Sequence, residues 1–291
     1  MVQDKFMSHK LASFFKDLFG SSTGIITFIG LIILLFYIFL AVFSPYLAPY
    51  DPTKSVGLSL SPPNHEHPFG TDNLGRDVLS RVIYGARIAL IIAFLSVAIA
   101  AAIGVPLGLI SGYIGGVLDR ILTLVMDAIY SFPGLILAIA IAALLGPGIF
   151  NIAISIAVVY APTYFRVIRS QVSSIKNELY VEGARAIGAK RSTILLKYVL
   201  PNVLPSVVVV LSMNLADAIM TEAGLSFLGL GIAPPTPDWG FDLSNGRRFI
   251  LSRAWWALLY PGLAIITVVL GFSMFSEGLN EFLNPTVREK R

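Results

Sequence analysis

The amino-acid sequence predicts an all-α membrane protein with about six transmembrane helices. Hydrophobic residues make up 56% of the 291 residues and charged residues only 13%, whereas a soluble domain carries about a quarter charged residues. Apolar runs recur along the chain at the length of about 20 residues that a helix needs to cross a hydrocarbon core. Helices are the expected form, because each backbone amide must find its partner within its own segment there.

Six apolar runs meet this length requirement. In chain order they are 24–43, 88–110, 121–145, 149–167, 199–220 and 257–275. The first run is too long for a signal peptide and no cleavage site follows it, so we expect it to remain as an anchoring helix. Pro133-Gly134 and Pro162 are expected to kink the third and fourth helices, because proline removes an amide donor and clashes with the preceding turn.

The distribution of basic residues predicts a multi-pass protein of the cytoplasmic membrane with both termini in the cytoplasm. In that orientation most of the 21 Lys and Arg residues lie in cytoplasmic segments, as the positive-inside rule requires. These segments are the tail 1–23, the turn at Arg120, the loop 169–199 and the tail 284–291.

The outer segments carry two further predictions. Residues 73–87 are expected to form an amphipathic helix on the outer membrane surface. Its apolar side would be Leu74, Val78 and Val82, and its basic side Arg76, Arg81 and Arg87. Aromatic residues of these segments are expected to anchor the chain at the outer interface. They are Tyr46, Tyr50, Trp239, Trp255 and Trp256.

Composition excludes several kinds of site. The chain has no cysteine, which excludes disulfides, thiolate metal sites and cysteine nucleophiles. His65 and His67 have no further ligands nearby, so we expect no metal site. Residues 183–192 resemble a phosphate-binding loop, but no lysine follows the second glycine directly and no β-strand precedes it. We therefore expect no ATP, no other cofactor and no catalytic residue on this chain. The basic residues form no single face, so no nucleic acid is expected either.

The loop 169–199 is predicted to contain two short helices. The first spans about 177–187 and is expected to end at Gly188 in the left-handed conformation. The second is expected to begin at Ser192 or Thr193, and Pro201 to begin the fifth span. The apolar face predicted for the first helix comprises Ile175, Leu179, Ala186 and Ile187, and the charged face Glu178, Glu182 and Arg185.

This loop resembles a known motif. Glu182-Gly183-Ala184, three residues, Gly188 and then Leu200-Pro201-Asn202 resemble the EAA loop of ABC importer permeases. Gly183 stands where alanine is usual, and Tyr198 where isoleucine is typical. The resemblance implies a coupling helix that sits in a groove of an ATPase subunit. The residues assigned to this coupling are Glu182, Gly183, Ala184, Arg185, Gly188, Leu200 and Pro201.

The resemblance covers most of the chain, from about residue 24 to residue 288. The segments that carry it are 67–77, 221–231, 234–235, 239–240 and 280–288. They resemble the C-type permease of dipeptide, oligopeptide and nickel importers. This implies a type I ABC importer permease fold, with a transmembrane permease domain at 24–283. It also implies a heterodimer with a homologous B-type permease, two ATPase subunits that bind Mg-ATP, and an extracytoplasmic substrate-binding protein. The expected substrate is a peptide, with nickel, glutathione or an oligosaccharide as alternatives.

Three acidic residues lie within or at the end of apolar runs, where charges are costly. Asp127, Asp217 and Glu222 are candidates for lining a translocation path, or else they cap and bond neighbouring helices. Asp127 and Asp217 also leave open a secondary transporter driven by an ion gradient. A membrane-embedded enzyme is disfavoured, since no His or Cys lies in a span.

Glycines and alanines form a further pattern. The small-residue run 98–104, together with Gly108 and Gly112, predicts close backbone packing between helices. Packing within the chain is favoured over dimerisation.

Overall fold

The computed structural model describes residues 22–283, which form a bundle of long helices. In chain order the helices are α1 (Ser22–Leu47), α2 (Val78–Ile114), α3 (Gly116–Tyr130), α4 (Gly134–Leu145), α5 (Ile149–Ile175), α6 (Leu179–Ala186), α7 (Arg191–Thr193), α8 (Leu200–Phe227), α9 (Trp239–Arg247) and α10 (Trp256–Leu283). A π-helical turn (Ile194–Val199) joins α7 to α8, and a 3₁₀ turn (Ile250–Ser252) follows α9. Within 22–283 the one β feature is an isolated bridge between Thr71 and Asp77.

The number of spans agrees with the sequence prediction. Five helical segments are long and apolar enough to cross a membrane, and α3 with α4 makes a sixth if the pair counts as one span. The predicted third span is not one kinked helix, however. Its two halves are bent by 90° around a break at residues 131–133. Pro133 accounts for the break, because it has no amide to donate and pushes the preceding residue out of the helical region. Pro162, by contrast, lies within the continuous helix α5.

The central contact joins α2 to α5 through a row of glycines. A Cβ atom added at Gly104, Gly108 or Gly112 would lie 2.5, 2.8 or 2.7 Å from a backbone carbonyl oxygen of α5. Those oxygens belong to Ala161, Phe165 and Arg169. The prediction of close packing within the chain is therefore confirmed, because no side chain other than hydrogen fits between the two backbones.

The bundle has two distinct ends. The first, which we call the loop end, contains the last turns of α2 and α5, the first turn of α3, and α6. Lys176 Nζ donates there to the Gly112 carbonyl oxygen at 2.8 Å. At the other, the cap end, residues 48–77 and 228–255 lie over the starts of α2 and α10. Trp256 Nε1 donates to the Thr71 carbonyl oxygen at 3.0 Å within that cap.

The described chain begins and ends at the loop end. Helix α10 runs from the cap end to the loop end, and α1 packs antiparallel to it, with Tyr37 bonded to Thr267 at 2.5 Å and Gly278 beside Thr27. This arrangement agrees with the prediction that both termini share a side with the loop 169–199. Most of the predicted tails 1–23 and 284–291 lies outside the described residues.

The predicted amphipathic helix at 73–87 is wrong. Helix α2 begins at Val78, because the carboxylate of Asp77 caps it by accepting from the Ser80 amide at 2.7 Å. Arg76 and Arg81 are 3% and 1% exposed, so they belong to the interior of the cap and not to a membrane surface.

Two of the predicted aromatic anchors are interior residues as well. Trp239 and Trp256 are buried, and Trp239 Nε1 donates to the Val82 carbonyl oxygen at 2.9 Å. Trp255 and Tyr46 are exposed, as an interfacial anchor has to be.

Candidate functional site

Helix α6 is a short helix with a well-defined end. Gly188 has φ +81°, and its amide donates to the Arg185 carbonyl oxygen at 2.9 Å. The amide of Ala189 reaches the Ala184 carbonyl oxygen at 3.0 Å. These two bonds form a Schellman motif, in which a left-handed residue closes the helix. The prediction that Gly188 ends the helix is confirmed.

The two faces of α6 differ from the prediction. Val181 and Ala184 are buried at 0% and 4% exposure, whereas Leu179 and Ile187, which the prediction placed on the apolar face, are each 82% exposed. The exposed residues are apolar, small, aromatic or charged, and these are Leu179, Tyr180, Glu182, Gly183, Arg185, Ala186 and Ile187. The sequence pattern identified an apolar stripe, but it does not reveal which stripe the same chain covers.

The buried face of α6 is continuous with the helices of the bundle. Val181 and Ala184 belong to an apolar cluster at the loop end. Its other buried members come from α5, the π-turn and α8, and they are Ile168, Val172, Ile194, Val199, Val203 and Val207. Close-packed side chains transmit displacement, since interiors have few voids to absorb it. The cluster therefore places α6 in one apolar core with α5 and α8.

Polar contacts tie the same end together. Arg169 forms a two-pronged ion pair with Asp119, with its Nη2 donating at 2.7 Å, and so joins α5 to α3. Arg185 of α6 lies over the ring of Tyr113 on α2, with 5.4 Å between its guanidinium carbon and the ring centroid. These contacts join α3 to α5 and α2 to α6 at the loop end.

The second predicted helix is not separate. Helix α7 begins at Arg191 rather than at Ser192 or Thr193, and it passes through the π-turn into α8 without a break. Pro201 has no amide to donate, and the wider π-turn just before it accommodates that loss. Asn202 Nδ2 donates to the Tyr198 carbonyl oxygen at 2.6 Å. Leu200 is half-buried against the apolar cluster, so the Leu-Pro pair begins α8 as predicted.

The three intramembrane acids lie in different environments. Asp127 is exposed and bonded to Arg166 Nη2 at 2.7 Å. Asp217 is exposed on α8, with no ion pair within residues 22–283. Glu222 is 1% exposed and accepts a hydrogen bond from the hydroxyl of Ser226 at 3.0 Å. The structure does not bring the three together, and Glu222 faces no open space in this conformation.

The cap end has a charged core that the sequence did not reveal. Arg81 binds Asp242 through both Nε and Nη2, the latter at 2.6 Å. Its Nη1 also donates to the Pro52 carbonyl oxygen at 2.9 Å. Burial raises the pKa of Asp242 to about 6, and Arg81 opposes that rise, so the pair is ionised at neutral pH. One arginine thus joins α2, α9 and the segment before α2.

Within residues 22–283, neither loop histidine belongs to a group of three or more His, Cys, Asp or Glu residues that could hold a metal ion. His67 Nδ1 lies 3.0 Å from a carboxylate oxygen of Asp77, which fixes the cap to the first turn of α2. Its role is structural.

Comparisons with known proteins identify relatives over most of the chain. Residues 104–289 match the model of the binding-protein-dependent transport system inner membrane component. Residues 26–63 match the N-terminal transmembrane domain of oligopeptide transport permease C.

Three curated relatives illustrate the similarity. A di/tripeptide transport system permease protein of Pseudomonas aeruginosa is 40% identical over 266 residues, which cover 89% of this chain and 88% of the relative. A dipeptide transport system permease protein of Alkalihalophilus pseudofirmus is 41% identical over 276 residues, covering 94% and 89%. A glutathione transport system permease protein of Shigella flexneri is 41% identical over 253 residues, covering 86% and 83%.

One solved structure is similar in fold. An inward-facing form of the MetNI methionine ABC transporter aligns with a TM-score of 0.53 at 18% identity, over 71% of this chain and 96% of that one. At this identity the likeness concerns the fold alone.

Proposed function

This chain belongs to the family of binding-protein-dependent transport system inner membrane components, and from that premise we propose that it carries peptides through the cytoplasmic membrane. It is a permease subunit of an ABC importer with the type I permease fold. The proposed complex adds a homologous B-type permease, two ATPase subunits and an extracytoplasmic substrate-binding protein.

The observation that carries the proposal is the division of α6 into two faces. One face is fixed in the apolar cluster of α5 and α8 through Val181 and Ala184. The other exposes Leu179 and Ile187, with Gly183 between them where an added Cβ would meet nothing within 4 Å. An exposed apolar face with small residues is typical of a helix that docks into a groove of another protein. We assign that groove to an ATPase subunit.

The charged residues of α6 fit the same role. Glu182 and Arg185 are exposed beside the apolar face, where a partner can offer charge-assisted hydrogen bonds. Such bonds fix the orientation of a docked helix more than they add affinity. The loop end therefore faces the cytoplasm in this proposal, and both termini lie there too.

The mechanism requires no chemistry in this chain. Closure of two ATPase subunits on Mg-ATP displaces α6, and the apolar cluster passes that displacement to α5 and α8. A substrate-loaded binding protein on the cap end favours the outward-facing state. Alternating access results because ATP and the loaded binding protein bind one conformation better than the other.

Two of the intramembrane acids are proposed to line the path. Asp127 and Asp217 are exposed on α3 and α8, although charges facing lipid are costly. Their exposure is explained if they face a water-filled path between the two permeases. Glu222 is assigned instead to the packing between α8 and the cap, because it is buried beside Ser226.

The peptide substrate rests on the names of the relatives, which also include a glutathione permease. Nickel and an oligosaccharide are the further alternatives. A secondary transporter is the rival from another class. Uptake that survives loss of cellular ATP but collapses with an ionophore would favour that rival.

Uptake by α6 variants tests the proposal. Glu182→Lys reverses the exposed charge, and Gly188→Pro cannot hold the φ of +81°, since proline is fixed near −65°. Both are expected to abolish peptide uptake in a strain that carries the complete importer, while the purified complex melts within a few degrees of the parent. Arg120→Glu, a charge reversal at the same end outside α6, should transport normally. Normal uptake by both α6 variants would contradict the proposal.

A further inference from the structure

A groove opens between α1 and α2 in the half of the bundle nearer the cap end. It has a volume of about 450 Å³ and is lined by six apolar side chains, Ile38, Ala41, Val42, Leu90, Ile91 and Phe94. This volume lies in the range of ligand-binding pockets, about 300–1,000 Å³. The one charged residue in the lining is Arg87.

In the proposed orientation, the groove lies near the outer ends of two apolar runs. Arg87 directly precedes the apolar run 88–110, and Val42 lies one residue before the end of the run 24–43. At this depth a guanidinium reaches the phosphate layer by extending along the helix surface.

Arg87 differs from the other arginines near the start of α2. Arg76 and Arg81 are buried and paired with Asp72 and Asp242. Arg87 is exposed, and no carboxylate within residues 22–283 forms an ion pair with it. Its charge is therefore available to a group from outside this chain.

The surface around the groove is exposed in this chain. Most exposed residues along α1 are large and apolar, among them Ile32, Leu35, Phe39 and Phe43. Elsewhere α1 packs closely on α10, where a Cβ at Gly30 would lie 2.7 Å from the Phe275 amide nitrogen. The gap between α1 and α2 thus occurs on a side of α1 that this chain leaves uncovered.

We propose that this groove binds one phospholipid of the surrounding membrane, with an acyl chain against the six apolar side chains and the phosphodiester on Arg87. The two parts of the site match the two parts of that ligand. Arginine donates in a fork that fits a phosphate, and an acyl chain matches the six apolar side chains in polarity. The bound lipid fills the gap between α1 and α2 and so fastens α1 to the bundle.

Native mass spectrometry of the full-length chain, purified with its partner permease, tests this site. Phosphatidylglycerol and diacylglycerol with the same acyl chains serve as probes. The parent is expected to bind one phosphatidylglycerol at least about tenfold more tightly than diacylglycerol, a ratio that corresponds to about 1.4 kcal/mol. Arg87→Gln should remove this preference, whereas Arg248→Gln, an exposed arginine of the cap end, should retain it.

A second variant tests the apolar part of the site. Val42→Trp fills the groove from its exposed side, since Val42 is 62% exposed, and is expected to weaken phosphatidylglycerol binding about tenfold. Leu35→Trp, on α1 outside the groove, should bind like the parent. Melting temperatures of all variants without added lipid serve as the check on folding.

Three results would overturn the inference. Equal binding of phosphatidylglycerol by all variants would mean that lipid binds the protein surface without specificity for this groove. If Arg87→Gln weakens phosphatidylglycerol binding but Val42→Trp does not, the lipid head group contacts Arg87 while its acyl chain does not occupy the groove. If the partner permease dissociates from Val42→Trp while lipid binding is unchanged, the groove is occupied by a helix of the partner and not by lipid.

Discussion

Truncating the exposed apolar residues of α6 should weaken the binding of the ATPase subunit without harming the fold. Leu179 and Ile187 are each 82% exposed, so nearly all of their apolar surface is available to a partner. Full burial of a Leu or Ile side chain is worth about 1.5–3 kcal/mol. Part of that gain is offset by ordering the side chain on binding, which leaves about 1–2 kcal/mol for each residue.

This free energy converts directly into affinity. Leu179→Ser and Ile187→Ser are each expected to raise the Kd for the ATPase subunit by about five- to thirtyfold. The two residues lie two turns apart, so the double variant should show roughly the product of the two effects. Stability should change by no more than about 0.5 kcal/mol, as for other exposed substitutions.

The assay measures the Kd of the purified ATPase subunit for the permease pair in lipid nanodiscs. Leu251→Ser is the matched control, because Leu251 is 97% exposed but lies at the cap end, and its Kd should equal that of the parent. Val181→Ala serves as a contrast, since Val181 is buried and its loss should lower the melting temperature. The reasoning fails if both α6 variants bind the ATPase subunit within twofold of the parent.

Three further predictions concern packing, the cap and the path. Gly108→Ala should destabilise the protein by about 1–3 kcal/mol, because the new Cβ would lie 2.8 Å from the Phe165 carbonyl oxygen; an unchanged melting temperature would contradict the packing described. Arg81→Met should lower the free energy of unfolding by about 3–5 kcal/mol, because it leaves the Asp242 carboxylate buried without a partner. A decrease below about 1 kcal/mol in thermal unfolding would contradict this role of Arg81. Asp217→Asn should slow uptake of free dipeptides severalfold while leaving stability unchanged, and normal uptake kinetics would remove Asp217 from the path.

The features that the sequence predicted correctly depend on local chemistry. The spans follow from the length of apolar runs, and the end of α6 follows from Gly188, because few other residues adopt a φ of +81° without strain. The contact between α2 and α5 follows from glycines at four-residue spacing. Each of these features is determined by residues within a few helical turns of one another, so it can be predicted from a short stretch of sequence.

The features that it missed depend on distant partners. Arg81 pairs with Asp242, which lies 161 residues away, so the sequence indicated a basic surface helix where the structure has a buried ion pair. The sequence placed Leu179 and Ile187 on one apolar face of α6, but amphipathicity does not distinguish a face that the chain covers from a face that a partner covers. Pro133 predicted a kink, but the angle of 90° depends on how α4 packs on α5.

The most direct test of α6 as the contact for the ATPase subunit uses cysteine labelling, which the chain permits because it contains no cysteine. Ile187→Cys and Leu251→Cys place single thiols on exposed positions at the two ends. A membrane-impermeant maleimide should label Ile187→Cys only in inverted vesicles stripped of ATPase subunits, and rebinding of those subunits should block the reaction. Leu251→Cys should react only when the reagent reaches the periplasmic or outer face of the membrane. Labelling of Ile187→Cys from outside, or labelling that the ATPase subunits do not alter, would contradict the account.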